Sequence, residues 1–123
     1  MKFNTIVDRL KSLGLPVAKD SFEETKETPL PDLPYVIYSI LQKDRKGSDD
    51  GAVSVDTIQA SIELYADKAD DISLIERDIE SKVLHDIEFS KISGVIENEE
   101  ITQTVYEFTV YEKVKRKEEN NGQ

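Results

Sequence analysis

The sequence predicts one α+β domain: a mostly antiparallel four-stranded sheet with two helices packed on one face, in the order α-β-β-α-β-β. Two observations lead to this prediction. Apolar residues recur with helical spacing in two segments, whereas apolar and polar residues alternate with a period of two in others. Two hairpins separated by a helix then imply an antiparallel sheet whose helices share one face. The length of 123 residues fits a single domain.

The first helix is indicated by apolar residues at i, i+3, i+4 and i+7 spacing: Phe3, Ile6, Val7, Leu10 and Leu13. Gly14 supplies a left-handed stop, and Pro16 prevents the helix from resuming. Residues 15–33 follow as an extended connector, because prolines and solvated charges dominate them.

The first hairpin is predicted from Tyr35 onwards. The segment from Tyr35 to Leu41 is rich in β-branched and aromatic residues, which favours a strand. Gln42 to Ala52 is charged and contains two glycines, so it is predicted to be a mobile loop. The next strand runs from about Val53 to Ala66 and directs these side chains to one side: Ile58, Ala60, Ile62 and Leu64.

The second helix begins after Asp70 or Asp71, either of which can cap it, and ends between Leu84 and Phe89. Its apolar stripe contains Ile72, Ile75, Ile79 and Val83. Two closing strands, Lys91 to Glu97 and Ile101 to Val114, complete the sheet, with Gly94 as a candidate bulge. The domain is expected to span residues 1–112, and the charged tail of residues 113–123 is expected to be disordered.

The net charge of -10 disfavours nucleic-acid binding, which requires a cationic face. The chain contains no cysteine, so disulfides and thiolate chemistry are excluded. The first residues lack the apolar run of a signal peptide, and no stretch approaches the roughly 20 apolar residues of a membrane span. We therefore expect synthesis in a cytoplasm and no membrane partner.

The candidate chemical groups do not form a recognisable site. His85, the single histidine, has no nucleophile motif beside it. Asp44, Asp49 and Asp50 lie near glycines, but their spacing differs from that of a calcium-binding loop. No phosphate-binding or hydrolase motif occurs. The sequence thus predicts no enzyme activity, no metal and no cofactor.

Several apolar and aromatic residues lie on the predicted solvent-exposed (wet) face of the sheet, and burial in the core does not explain them. Such residues are enriched at protein interfaces, although single exposed aromatic residues are also common, and both interpretations stay open. The candidate interface residues are Tyr35, Ile37, Tyr65, Val105 and Tyr111.

The chain resembles the tail terminator, or tail completion, proteins of long-tailed phages and prophages. The resemblance rests on Pro34-Tyr35-Val36-Ile37-Tyr38, a charged loop, Ile62-Glu63-Leu64-Tyr65-Ala66-Asp67-Lys68, an Asp-started helix, and Gln103-Thr104-Val105-Tyr106-Glu107-Phe108. It covers the chain from the first helix to about Tyr111. These motifs are packing signals, and the charged C-terminal tail matches no family feature.

The resemblance implies a virion protein that forms a ring, commonly a hexamer, on the phage tail. Its partners would be further copies of itself, the tail tube protein and a head–tail connector protein, and it would need no cofactor. The wet-face residues would lie between subunits. The charged loop would project toward the lumen or the next ring through Lys43, Asp44, Arg45, Lys46, Asp49 and Asp50.

Three alternatives remain beside this interpretation. The first is another head–tail connector component, such as a stopper or an adaptor. The second is a host-encoded module that binds a partner through its sheet edge. The third is a small enzyme whose site leaves no sequence signature.

Overall fold

The computed structural model describes residues 1–47 and 53–115, which excludes Asp49, Asp50 and the end of the predicted tail. The elements, in chain order, are α1 (Phe3–Lys11), β1 (Val17–Lys19), β2 (Tyr35–Gly47), β3 (Val53–Asp67), α2 (Ser73–Asp78), a π-helical turn (Ile79–Val83), β4 (Phe89–Ile96) and β5 (Ile101–Lys115).

The sheet is five-stranded and mixed, so the predicted four-stranded antiparallel sheet and the α-β-β-α-β-β order are wrong. The strand order is β1-β2-β3-β5-β4. The additional strand, β1, lies inside the predicted connector and pairs in parallel with Val36–Tyr38 of β2. Three residues are too few to show alternation. Their pairing satisfies backbone groups at the edge of β2, where Val36 N–H donates to Pro16 O at 2.9 Å.

The first hairpin is longer than the sequence pattern indicates. β2 continues to Gly47 and pairs antiparallel with β3 along this whole length, so the predicted loop from Gln42 onwards is wrong up to Gly47. The register shifts between Ile40 and Gln42, which leaves Leu41 as an extra residue. The charged residues from Gln42 to Gly47 resemble a loop in the sequence, because this part of β2 is stabilised by pairing with β3 and not by burial of its own side chains.

The helix α1 buries the apolar stripe that its spacing predicts, and all four of its buried residues, Phe3, Ile6, Val7 and Leu10, belong to the core. It ends at Lys11, and Gly14 adopts a left-handed φ of 83° in the turn that follows. Glu112 of β5 accepts a hydrogen bond from Phe3 N–H at the other end of the helix. The helix is thereby fixed to the sheet at its first residue.

The second helix is irregular. Its N-cap is Ile72, which makes no side-chain cap hydrogen bond, so the predicted caps Asp70 and Asp71 are wrong. Asp71 accepts hydrogen bonds from the backbone and side chain of Ser73, the first helical residue, at 3.0 and 2.7 Å. After Asp78 the chain widens into the π-helical turn, closed by Leu84 N–H donating to Ile79 O at 2.9 Å. Arg9 of α1 donates to Val83 O at 3.1 Å, which ties the end of this turn to the first helix.

The last two strands pair antiparallel in one continuous register. Gly94 lies opposite Gln103 without a bulge. β5 continues to Lys115, opposite Val53, and therefore extends three residues beyond the domain boundary expected at residue 112. Residues 116–123 are not among those described.

Both helices pack on the same face of the sheet, here called the helix face. The alternation along β3 and β5 directs large apolar side chains toward it, and the strand residues buried there are Val36, Ile58, Ala60, Ile62, Leu64, Tyr106, Phe108 and Val110. The opposite face, here called the open face, is covered by neither helix. It carries the residues that alternate with this set.

Candidate functional site

The open face brings four of the five predicted interface residues together. Tyr35 lies opposite Tyr65, and Ile37 lies opposite Glu63. Glu63 in turn lies opposite Val105 on β5. Strand pairing therefore creates one surface from residues that are up to 70 positions apart in the sequence.

An aromatic cluster occupies the end of this surface near β1. The ring of Tyr35 lies 5.1 Å from that of Phe22, nearly edge-on at 74°, and 5.4 Å from that of Tyr65. Tyr65 donates its hydroxyl proton to Glu63 at 2.7 Å and accepts a hydrogen bond from Gln103 at 3.0 Å. Burial, reinforced by Glu63, raises the pKa of Tyr65 to about 12, so its hydroxyl remains a neutral donor.

An apolar row crosses the open face beside this cluster. Ile37, Val105 and Ile92 lie along it, with Glu63 between the first two. Ile92 is 71% exposed on β4. The sequence alone does not identify Ile92 as part of this row, because its position opposite Val105 depends on the register between β4 and β5. Ile37, Val105 and Ile92 are here called the apolar row.

Tyr111, the fifth predicted interface residue, lies elsewhere on the same face. It stands opposite Thr57 and is 62% exposed. Six residues of extended strand separate it from Val105, which corresponds to about 20 Å. Tyr111 therefore belongs to the distal end of the sheet and is not part of the apolar row.

The residues predicted to project from a loop lie in a paired strand as far as they are described. Arg45 donates to both carboxylate oxygens of Asp56 at 2.6 and 2.9 Å, and Lys43 Nζ lies 3.5 Å from the same carboxylate. Asp44 accepts a hydrogen bond from Gln42 at 2.7 Å. Lys46 lies opposite Val55. The described charges are thus held on a strand instead of a flexible tip.

Asp56, on β3 opposite Arg45, is the most deeply buried charged residue of the first hairpin. No pattern in the sequence singles it out. Its side chain is 1% exposed. The hydrogen bonds from Arg45 lower the pKa of Asp56 to about 2, with a smaller contribution from Lys43. The carboxylate is therefore ionised across the physiological range, which fits a structural ion pair better than a proton-transfer group.

A second polar cluster joins α2 and the π-helical turn to the closing strands. Lys91 Nζ lies 2.7 Å from Glu80 and 3.2 Å from Glu76. Tyr106 donates its hydroxyl proton to Glu80 at 2.8 Å, and Thr104 donates to Glu76 at 2.7 Å. Each charge therefore has a partner of opposite sign.

The pKa shifts in this cluster follow from that pairing. The hydrogen bond from Lys91 lowers the pKa of Glu80, and the same contact raises the pKa of Lys91. Burial next to Glu80 raises the pKa of Tyr106. All three groups keep their ordinary protonation states near neutral pH, which is the behaviour of a structural clamp.

Within the described ranges, no group of three or more His, Cys, Asp or Glu residues is arranged to hold a metal ion. An open groove of about 750 Å³ lies beside the start of β4, lined by both apolar and acidic residues such as Phe89, Phe108 and Glu107. His85 is exposed and lies 3.9 Å from Asp86.

No known protein family has a model that matches this chain, and no curated protein sequence matches it. Within residues 1–47 and 53–115, no helix is both long and apolar enough to cross a bilayer. The open face is therefore characterised by its own geometry: a strip of apolar and aromatic side chains on a sheet that has helices on its other side only.

Proposed function

We propose that this chain is a phage structural protein that caps the tail tube and contributes to head–tail joining through ring-forming protein–protein contacts. The proposal combines the resemblance of its strand and helix motifs to tail terminator proteins with the chemistry of the open face. In this role the open face contacts neighbouring copies and the end of the tail tube.

The apolar row carries the proposal. Side chains that face water on an antiparallel sheet are normally polar, because the apolar side chains lie on the other face and are buried in the core. Here Ile37 and Val105 are only half-buried, and Ile92 is largely exposed. Exposed apolar side chains grouped on one face and bordered by polar residues such as Glu63 are typical of sites that associate with another protein.

The two polar clusters support a structural role. Arg45 neutralises Asp56, and Lys91 neutralises Glu80. A catalytic acid or base needs a pKa near the working pH, whereas these contacts move each carboxylate pKa away from neutrality. Both clusters thereby stabilise the fold that presents the open face.

Deletion of the gene in a phage or lysogen that produces particles tests the proposal. We expect tails of irregular, excessive length that do not join heads, as seen by electron microscopy, and restoration by the wild-type gene. Tubes of normal length that still join heads would overturn the proposal. Normal tubes that fail to join heads would instead identify a stopper or an adaptor.

Complementation with Ile37→Lys tests the role of the open face. A charge in the apolar row should prevent rescue, since removing an ammonium group from water at an interface is costly even with Glu63 on the neighbouring strand. Leu74→Lys is the matched control, because Leu74 is 66% exposed on α2 and lies on the other side of the sheet. Circular dichroism of both purified variants verifies that each is folded.

A further inference from the structure

The two longest unpaired stretches of strand edge in the described part of the chain lie at opposite sides of the sheet. β4 is the last strand in the order β1-β2-β3-β5-β4, and its outer edge is free over eight residues, Phe89–Ile96. β1 covers β2 only at Val36–Tyr38. The outer edge of β2 is therefore free from Ile40 to Gly47, which is also eight residues.

The β4 edge has little of the protection that edge strands usually carry. It contains no proline, and its pairing with β5 has no bulge. Its one charge, Lys91, is bound to Glu76 and Glu80 on the helix face. Ile92 and Val95 are 71% and 55% exposed. Such an edge is a template for the addition of another strand.

The direction of the strands suits pairing between two copies. β2 is antiparallel to β3, β3 to β5, and β5 to β4, so that β4 runs opposite to β2. If two copies keep the same orientation and are displaced along the strands by about six to seven residues, or ~20 Å, β4 of one meets the free segment of β2 of the next as an antiparallel pair. Both copies then keep their helices on the same side of a continuous sheet.

The charges distinguish this arrangement from pairing of like edges. The free segment of β2 carries Lys43, Arg45 and Lys46 against Asp44, and Asp56 of β3, which binds Arg45 and Lys43, reduces the net charge of this region from +2 to +1 in a chain of net charge -10. β4 is flanked by acidic residues on both sides: Glu88 before it, and Glu97, Glu99 and Glu100 after it. Pairing of β4 with β4 would bring acidic flanks together, and pairing of β2 with β2 would bring cations together.

We infer that a second copy of this chain occupies the β4 edge, and that it does so through Ile40–Gly47 of its β2. The contact is heterologous, because it joins two different surfaces, and heterologous contacts form a ring when the rotation between copies closes. On the open face it sets Asp44 of one copy beside Ile92 of the other. The edge pairing itself does not depend on the proposed function. Only the assignment of the resulting ring to a phage tail rests on that proposal.

Engineered disulfides test the edge pairing directly, since the chain has no cysteine of its own. Asp44→Cys and Ile92→Cys place thiols on the open face of the two edges, directly opposite each other when Ile40–Gly47 pairs antiparallel with Phe89–Ile96 over its full length. Mixing the purified single variants under oxidising conditions should give a mixed dimer. Its yield should exceed that of Leu74→Cys mixed with Ile92→Cys by roughly tenfold, given millimolar effective concentrations in a formed contact.

The double variant carrying Asp44→Cys and Ile92→Cys should give a ladder of linked species that ends in one closed oligomer. Cross-linking of Ile92→Cys with itself at equal yield would show β4–β4 pairing and overturn the inference. Absence of mixed cross-links, both in the purified protein and in particles produced with the two single variants co-expressed, would also overturn it.

A substitution that adds no thiol gives an independent measurement. Ile92→Lys protects the edge with a charge and should weaken self-association, measured by mass photometry, whereas Leu74→Lys should not. If gene deletion causes tail defects but no cross-links form, the edge pairing is overturned and the proposed function stands. If cross-links form but gene deletion causes no tail defects, the proposed function is overturned and the edge pairing stands.

Discussion

At the scale of the residue, Asp56 shows how a charged segment of strand is stabilised. Its carboxylate is buried on the helix face of β3, where a lone charge would be strongly unfavourable. Arg45 reaches it with two hydrogen bonds from the neighbouring strand, and Lys43 is a second positive partner at 3.5 Å. The charges of β2 beyond Ile40 therefore stabilise strand pairing.

Replacement of Asp56 tests this account. Asp56→Asn leaves Arg45 and Lys43 without their counter-charge and should lower the urea midpoint of unfolding. Asp44→Asn is the control, since Asp44 lies on the same hairpin but is exposed, and its side chain accepts a hydrogen bond from the neutral side chain of Gln42. Equal midpoints for the two variants would contradict a stabilising role of the Asp56 ion pair.

The same carboxylate predicts a loss of stability in acid. Its pKa in the folded protein is about 2, below the ordinary value of 3.8 that applies in the unfolded chain. A depressed pKa stabilises the folded state above the unfolded value, and this contribution is lost as the pH falls from 3.8 to about 2. Urea titrations across this range should show a smaller loss of stability for Asp56→Asn than for the wild type.

At the scale of the element, α2 and the π-helical turn are joined to the sheet by polar contacts as well as by the apolar packing of Ile75, Ile79 and Val83. α2 itself has no buried residue, while Ile79 and Val83 of the π-helical turn are buried. The hydrogen bonds from Lys91 and Tyr106 to Glu80 connect this region to β4 and β5. The side chains of Glu80, Lys91 and Tyr106 thus connect the helical region to the two closing strands.

Glu80→Ala should destabilise the protein by about 1–3 kcal/mol, because the buried hydroxyl of Tyr106 loses its acceptor. Asp78→Ala removes a neighbouring acid whose partner, Lys82, is on the same helical segment, and should change stability by less than about 0.5 kcal/mol. Chemical denaturation of both variants measures the difference. A cost for Glu80→Ala as small as that of the control would show that the cluster does not hold the helix.

Sequence patterns locate core positions best in elements whose own side chains are buried, although the exposed strand β4 was also predicted. Alternation located the core positions of β3 and β5, and helical spacing located α1. β1 was missed because three residues carry no period, and the distal half of β2 was missed because its charges are neutralised from β3. The apolar row was predicted in part: Ile37 and Val105 were selected, whereas Ile92 requires the register of β4.

At the scale of the whole molecule, one core joins both helices to the sheet. Leu10 of α1 and Leu84 after the π-helical turn belong to the same cluster as Ile62 and Tyr106. The structure therefore predicts that the helices and the sheet unfold together.

Leu10→Ala should lower stability by about 2–5 kcal/mol, since it leaves a cavity in this shared core. The far-ultraviolet and near-ultraviolet circular dichroism signals should still lose structure at one common midpoint. Leu74→Ala, at an exposed position of α2, should leave the midpoint nearly unchanged. Two separate transitions in Leu10→Ala would contradict a single cooperative core.

The extra residue in β2 has a consequence for changes of chain length. Leu41 has no partner across the hairpin, while Ile40 pairs with Ala60 and Gln42 pairs with Gln59. Loss of one residue at this point would leave every strand pair on both sides intact. A deletion that would invert the faces of an ordinary strand is thereby absorbed, and Arg45 stays on the side of the sheet where Asp56 lies.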